Sequence, residues 1–180
     1  MGFRSSLCRS KKIEFISIEM LLPVLFEKGS EPLLLVLDQI TDVRNFGAIA
    51  RSAECAGVDA IIIPEKGMAR IGADSIKTSS GALHHIPVCK VPNLFRTIQF
   101  LKDSGIQIVA ATEKANQIYT GGNFKIPVAI VVGSEESGIS QAILNIADQQ
   151  LKIPLFGNIE SLNVSVSAAL MIYEAVRQRN

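Results

Sequence analysis

Two carboxylates, Glu135 and Glu136, lie in a loop bounded by glycines, Gly133-Ser134-Glu135-Glu136-Ser137-Gly138-Ile139-Ser140. Upstream, Asp42-Val43-Arg44-Asn45-Phe46-Gly47-Ala48-Ile49-Ala50-Arg51-Ser52-Ala53 offers an amide and two guanidinium groups. Near the C-terminus, Ile153-Pro154-Leu155-Phe156-Gly157-Asn158-Ile159-Glu160-Ser161-Leu162-Asn163-Val164-Ser165-Val166 adds amides and hydroxyls. Glycines let a ligand approach backbone, and an arginine can hold a phosphate through two parallel hydrogen bonds. The loop reads G-x-x-x-x-G-x-S, one residue short of a phosphate-binding P-loop. Its lysine position is Ile139, and the two carboxylates would repel a triphosphate. No G-x-G-x-x-G or G-x-S-x-G occurs, which argues against a dinucleotide cofactor and a hydrolase triad. His84-His85 is the one histidine pair. Adjacent side chains on a strand point to opposite faces, so it makes a poor metal site, and no metal is expected.

A glycine-rich loop with carboxylates suits a ligand that lacks phosphates and carries positive charge or hydroxyls. S-adenosylmethionine has both. The same loop also reads as an acidic surface turn before a helix.

The elements that must position these groups alternate. Short apolar runs recur at Leu33–Leu37, Ala60–Ile63, Ile86–Val91, Ile106–Ala111, Val128–Val132 and Leu151–Ile153. Runs of this length without polar alternation suit strands buried on both faces of a parallel sheet. Between them the spacing predicts helices over Phe46–Ala56 capped by Asn45, Leu94–Asp103 capped by Asn93, and Gln141–Ile146 capped by Ser140. A last helix runs roughly over Val164–Gln178. The fold class is therefore α/β, a mostly parallel sheet with helices on both faces. Residues 1–30 stand outside the alternation and read as an N-terminal arm, with one α/β domain over residues 31–180.

The chain has 180 residues, 48% hydrophobic and 19% charged, which excludes disordered and low-complexity classes. Its longest apolar runs, such as Ile126–Val132, fall far below the ~18 residues of a membrane span, so no membrane partner is expected. Cys8, Cys55 and Cys89 are an odd set with wide spacing, which points to a reducing, cytoplasmic compartment. The formal net charge is +1, so any RNA binding must rest on local positive charge.

Taken singly, each motif has a structural reading: Asn45 as a cap, Arg51 on a solvated face, Asn163 as the cap of the last helix. Together and in this order, N-x-G-x-x-x-R, G-x-E-x-x-G-x-S and I-P-L-x-G-x-x-x-S-L-N-V-S closely resemble the SpoU (TrmH-type) RNA ribose 2′-O-methyltransferases of the SPOUT class. The resemblance runs from about Leu33 to Arg179. The family often has Pro where this chain has Val43, and Met where it has Leu155. The resemblance implies a C-terminal trefoil knot, S-adenosylmethionine as cofactor, a homodimer, and methyl transfer to a ribose 2′-hydroxyl of RNA. The RNA would be rRNA or tRNA, with 23S rRNA preferred. It implies catalytic roles for Arg51, Asn45, Glu135 and Asn163, and cofactor contacts at Gly133, Ile153, Leu162, Thr112 and Ser161. RNA would meet Arg44, Arg51 and Lys77, and the arm's Arg4, Arg9, Lys11 and Lys12. A catalytically silent RNA-binding relative is the alternative, and the intact Arg51, Glu135 and Asn163 argue against it.

Overall fold

Strands covered on both faces need apolar residues at every position, and the two most apolar runs become the centre of the sheet. In the computed structural model, which describes residues 13–180, β1 (Leu33–Asp38) is buried at all six positions. Its neighbour β6 (Val128–Gly133) is buried at the first five. Around them lie β2 (Ala60–Pro64), β3 (Val88–Val91), β4 (Gln107–Ala111), β5 (Gln117–Ile118) and β7 (Gln149–Lys152). The order is β3-β2-β1-β6-β4-β7-β5, and every adjacent pair is parallel.

Alternate residues of β1 serve two cores, as a period of two requires. Leu33, Leu35 and Leu37 pack with α2 (Val43–Cys55) and α6 (Val164–Arg179) through Phe46, Ile49, Met171 and Ile172. Leu34 and Val36 pack on the other face with α1 (Ile18–Glu27), α4 (Leu94–Asp103) and α5 (Gln141–Ile146). The chain steps outward from β1 to β3, then crosses to β4 and returns to β6. The order therefore reverses beside β1, and an open α/β sheet places its ligand crevice at such a reversal, beyond the carboxyl ends of the strands. The loops leaving β1, β4, β6 and β7 all emerge there.

The structure corrects several local expectations. Asp42, not Asn45, caps α2: its carboxylate accepts from the N–H groups of Arg44 and Asn45, both at 2.8 Å. That releases the Asn45 side chain for longer-range contacts. Ser140 stands at the cap of α5, but its side chain makes no capping bond. Ile86 precedes β3, and β7 begins two residues before Leu151. His84 and His85 are exposed at the end of a single 3-10 turn, Ala82–His84, and not on a strand. Lys77 lies in a short helix, α3 (Ala73–Thr78), that the spacing does not reveal.

Part of the segment assigned to the arm is docked. Ile18, Leu22 and Leu25 of α1 are buried in the second core, and the N–H of Ile16 donates to Val88 O at 3.1 Å on the outer edge of β3. That bridge covers the start of the edge strand, where an open edge would invite pairing with another chain. Arg4, Cys8, Arg9, Lys11 and Lys12 lie outside the described residues.

Gly47 shows why one motif position excludes side chains. A Cβ there would overlap Thr78 Oγ1 and Cβ and sit 3.0 Å from the Ser79 backbone nitrogen. Helix propensity alone favours Gly47→Ala by about 1 kcal/mol. Overpacking costs about 1–3 kcal/mol and should win, because the β-carbon of Thr78, fixed to the backbone of α3, blocks the space. Urea denaturation should give a lower midpoint for Gly47→Ala. A midpoint above wild type would show that α3 yields and that propensity decides.

Candidate active site

The turn after β6 is built on two glycines used for different reasons. A Cβ at Gly133 would overlap the backbone of Gly138 and Ile139, so the two ends of the turn can meet only if position 133 has no side chain. Gly138 has φ +67°, a left-handed conformation that side chains disfavour. Its N–H closes the turn on Ser134 O at 2.9 Å, and the Ser134 and Ser137 hydroxyls bond each other at 2.7 Å.

That turn delivers Glu135 to the N-terminus of α6. Its Oε1 accepts from Asn163 Nδ2 at 2.8 Å, from the Val164 backbone N–H at 3.1 Å and from Asn45 Nδ2 at 3.4 Å. Asn163 Nδ2 also donates to Asn45 Oδ1 at 2.9 Å. The carboxylate accepts only, so both amides must turn their nitrogens toward it. Asn163 spends its remaining oxygen on the cap of α6, accepting from the Ser165 N–H at 2.9 Å and from the Ser165 hydroxyl. The Val164 N–H is a first-turn donor with no partner inside the helix, and negative charge is favoured at that end. One residue from each of the three motifs thus meets in a single hydrogen-bonded junction.

Beside the junction is a cavity of about 410 Å³, within the range of small-ligand sites. Gly133, Thr112, Ile153, Ser161 and Leu162 all line it, as does Glu135. The structure therefore gathers every residue expected at the cofactor. Asn45 and Asn163 stand behind Glu135, outside the lining. Arg51, Arg44 and Lys77 are exposed on α2 and α3, away from the cavity wall. The Arg51 side chain has no hydrogen bond or ion pair among the described residues. Arg44, Ala48, Arg51 and Cys55 follow one helical stripe, with the Cα atoms of the two arginines about 10 Å apart along the axis.

Three polar lining residues fall outside the motifs and the expected site: Glu113, Lys114 and Ser167. Glu113 and Lys114 follow Thr112 at the end of β4, where the strand-end rule already points. Ser167 lies one helical turn beyond Asn163. Glu113, Glu136 and Glu160 are exposed on the rim against the single Lys114, so the rim carries net negative charge. Among the described residues no group of three or more His, Cys, Asp or Glu is arranged to hold a metal ion, and no helix is long and apolar enough to cross a membrane. Cys55 and Cys89 are free thiols, and burial pushes Cys89 up to about 11, with the Glu19 charge adding to the shift.

The parallel sheet thus carries a cavity beyond the carboxyl ends of β6, β4 and β7, joined to an asparagine–glutamate–asparagine junction. The chain belongs to the SpoU rRNA Methylase family, whose pattern matches residues 32–173. It is 39% identical over 158 residues to the 23S rRNA (guanosine-2′-O-)-methyltransferase RlmB of Yersinia pestis, covering 88% of this chain and 64% of that protein. A solved structure described as an RNA 2′-O ribose methyltransferase superposes with TM-score 0.75 at 35% identity, over 83% of this chain and 57% of that one. The SpoU methyltransferase AviRb from Streptomyces viridochromogenes, solved with the cofactor AdoMet, gives 0.78 at 28% identity, over 83% and 61%. This chain thus spans less than two thirds of the length of these three relatives.

Glu135 is exposed, which limits what its bonds add to stability. Glu135→Ala should cost only about 1 kcal/mol in urea denaturation, the net worth of solvent-accessible hydrogen bonds. Glu135→Gln keeps one acceptor and should cost less. A loss above about 3 kcal/mol would mark the junction as a stability element and not a positioning one.

Proposed function

We propose that this chain is an S-adenosylmethionine-dependent RNA methyltransferase acting on a ribose 2′-hydroxyl. The observation that carries the reading is the Glu135 junction beside a cavity with a negative rim. That rim suits a sulfonium, an amino group and ribose hydroxyls, and opposes phosphates. Family membership and the named activities of the relatives support it.

S-adenosylmethionine supplies a methyl group already activated on a positively charged sulfur. The protein's task is then alignment, which can contribute up to ~7–11 kcal/mol. Gly133, Ile153 and Leu162 offer backbone groups to the adenosyl portion, and Thr112 and Ser161 offer hydroxyls. Glu135 fixes Asn163 and Asn45 beside the cavity, where their amides face the target ribose. Arg51 holds the neighbouring RNA phosphate with two parallel bonds and stabilises negative charge developing on the 2′-oxygen. Guanidinium stays protonated, so a phosphate oxygen or water takes the proton. Arg44 and Lys77 extend the basic face, and binding through them is salt-sensitive. The RlmB relative supports rRNA as the target, and an rRNA substrate supports a cytoplasmic location.

Assembly belongs to the same reading. Phe156 and Ile159 on the loop after β7 are 95% and 76% exposed, and Val166, Leu170 and Tyr173 form an exposed apolar stripe on α6. A second copy covering this stripe gives a homodimer with its sites near the two-fold axis. The return of α6 onto α2 and β6, after β7 has been laid outside β4, fits threading of the C-terminal segment into a trefoil knot.

Calorimetry should show binding of S-adenosylhomocysteine and none of ATP. Arg51→Ala should keep that affinity while methyl transfer to RNA falls by ~100-fold or more, and Arg51→Lys should not rescue it. No heat with the adenosyl ligand, or full turnover by Arg51→Ala, would contradict the reading. Light scattering should give about twice 19.4 kDa, and Leu170→Glu with Tyr173→Arg should yield monomers. A fully active wild-type monomer would overturn the dimer.

A further inference from the structure

We infer that Asp38, outside all three motifs, is a positioning residue that clasps the cofactor loop at both ends. The inference rests on the cofactor reading given above. Asp38 is the last residue of β1 and only 5% exposed. Its backbone is in register with Gly133, where the loop leaves β6. Its side-chain Oδ2 accepts from the Ser140 backbone N–H at 2.8 Å, where the loop enters α5. Between these two points Gly133 through Gly138 all line the cavity, and Asp38 itself does not.

A carboxylate removed from water is costly unless it is well bonded, so its place here calls for a reason. The reason is geometric. Glu135 holds the loop on the side of α2 and α6, while Ile139 is buried in the opposite core with Ile143 and Leu144. Without a tie at Ser140, the exit is held only by the burial of Ile139 and the Gly138–Ser134 bond, and a shift there moves the cavity wall with it. The residue after Asp38 marks the same point. Gln39 has φ 60°, a left-handed conformation that a residue with a side chain adopts at some cost. That turn diverts the chain from the clasp to Asp42, the cap of α2, so one short segment sets both the cofactor loop and the helix that carries Asn45 and Arg51.

Removing the clasp should loosen the cofactor wall and spare the RNA face. Asp38→Ala should weaken S-adenosylhomocysteine binding in calorimetry by about tenfold or more. At saturating S-adenosylmethionine its KM for RNA should stay within about twofold of wild type. Asp38→Asn keeps an acceptor oxygen and should stay within about threefold of wild-type affinity, which provides the test if the alanine variant does not fold. The clasp is overturned if Asp38→Ala binds like wild type, if it raises the RNA and cofactor constants alike together with a lower melting temperature, or if Asp38→Asn loses tenfold. Failure of the wild-type protein to bind the adenosyl ligand would instead remove the cofactor reading beneath it.

Discussion

A single carboxylate oxygen, Glu135 Oε1, is the point on which the arrangement of the site depends. Its three donors come from Asn45, 90 residues earlier, and from Asn163 and Val164, 28 and 29 residues later. Each donor starts or flanks a helix whose first N–H groups need external partners. The carboxylate therefore does two things at once. It satisfies the N-terminus of α6, and it holds two amides in fixed orientation beside the cavity. Because Glu135 is open to solvent, the junction adds little to folding. The two buried cores on either side of β1 supply stability, and the junction supplies geometry.

Charge is divided in space in a way the near-neutral total conceals. The cavity rim carries Glu113, Glu136 and Glu160, while the exposed stripe of α2 carries Arg44 and Arg51. Under the proposed function, a cationic methyl donor is drawn to the first surface and an anionic RNA strand to the second. The close packing of Gly47 on Thr78 holds α2 against α3, and the Gly133–Gly138 contact keeps the acidic loop compact. Both glycines act through the absence of a side chain, one between helices and one within a turn.

Much of this was legible in the sequence, for reasons that differ by element. The central strands announce themselves because two-sided burial demands unbroken apolar runs such as Leu33–Leu37. Asn93 and Asn163 were recognised as caps because capping is local. Asn45 was misassigned because Asp42, also a good cap, begins α2 earlier, and the true partner of Asn45 lies 90 residues away. Strand β5 spans two exposed residues, Gln117 and Ile118, and has no periodicity to detect. Helix α1 was absorbed into the arm because Pro23 interrupts a pattern whose buried positions, Ile18, Leu22 and Leu25, emerge only once it meets the sheet. Asp38 looked like the polar end of a strand, since its partner Ser140 is 102 residues distant.

The central claim is that the cavity and the α2 face present a methyl donor and an RNA ribose to each other. The most direct test is transfer of isotopically labelled methyl from S-adenosylmethionine to RNA, followed by digestion to nucleosides and mass spectrometry. The account predicts label on a ribose 2′-oxygen at a single nucleotide, lost in Arg51→Ala. Label on a base, or no label in any RNA fraction offered to the folded protein, would contradict it.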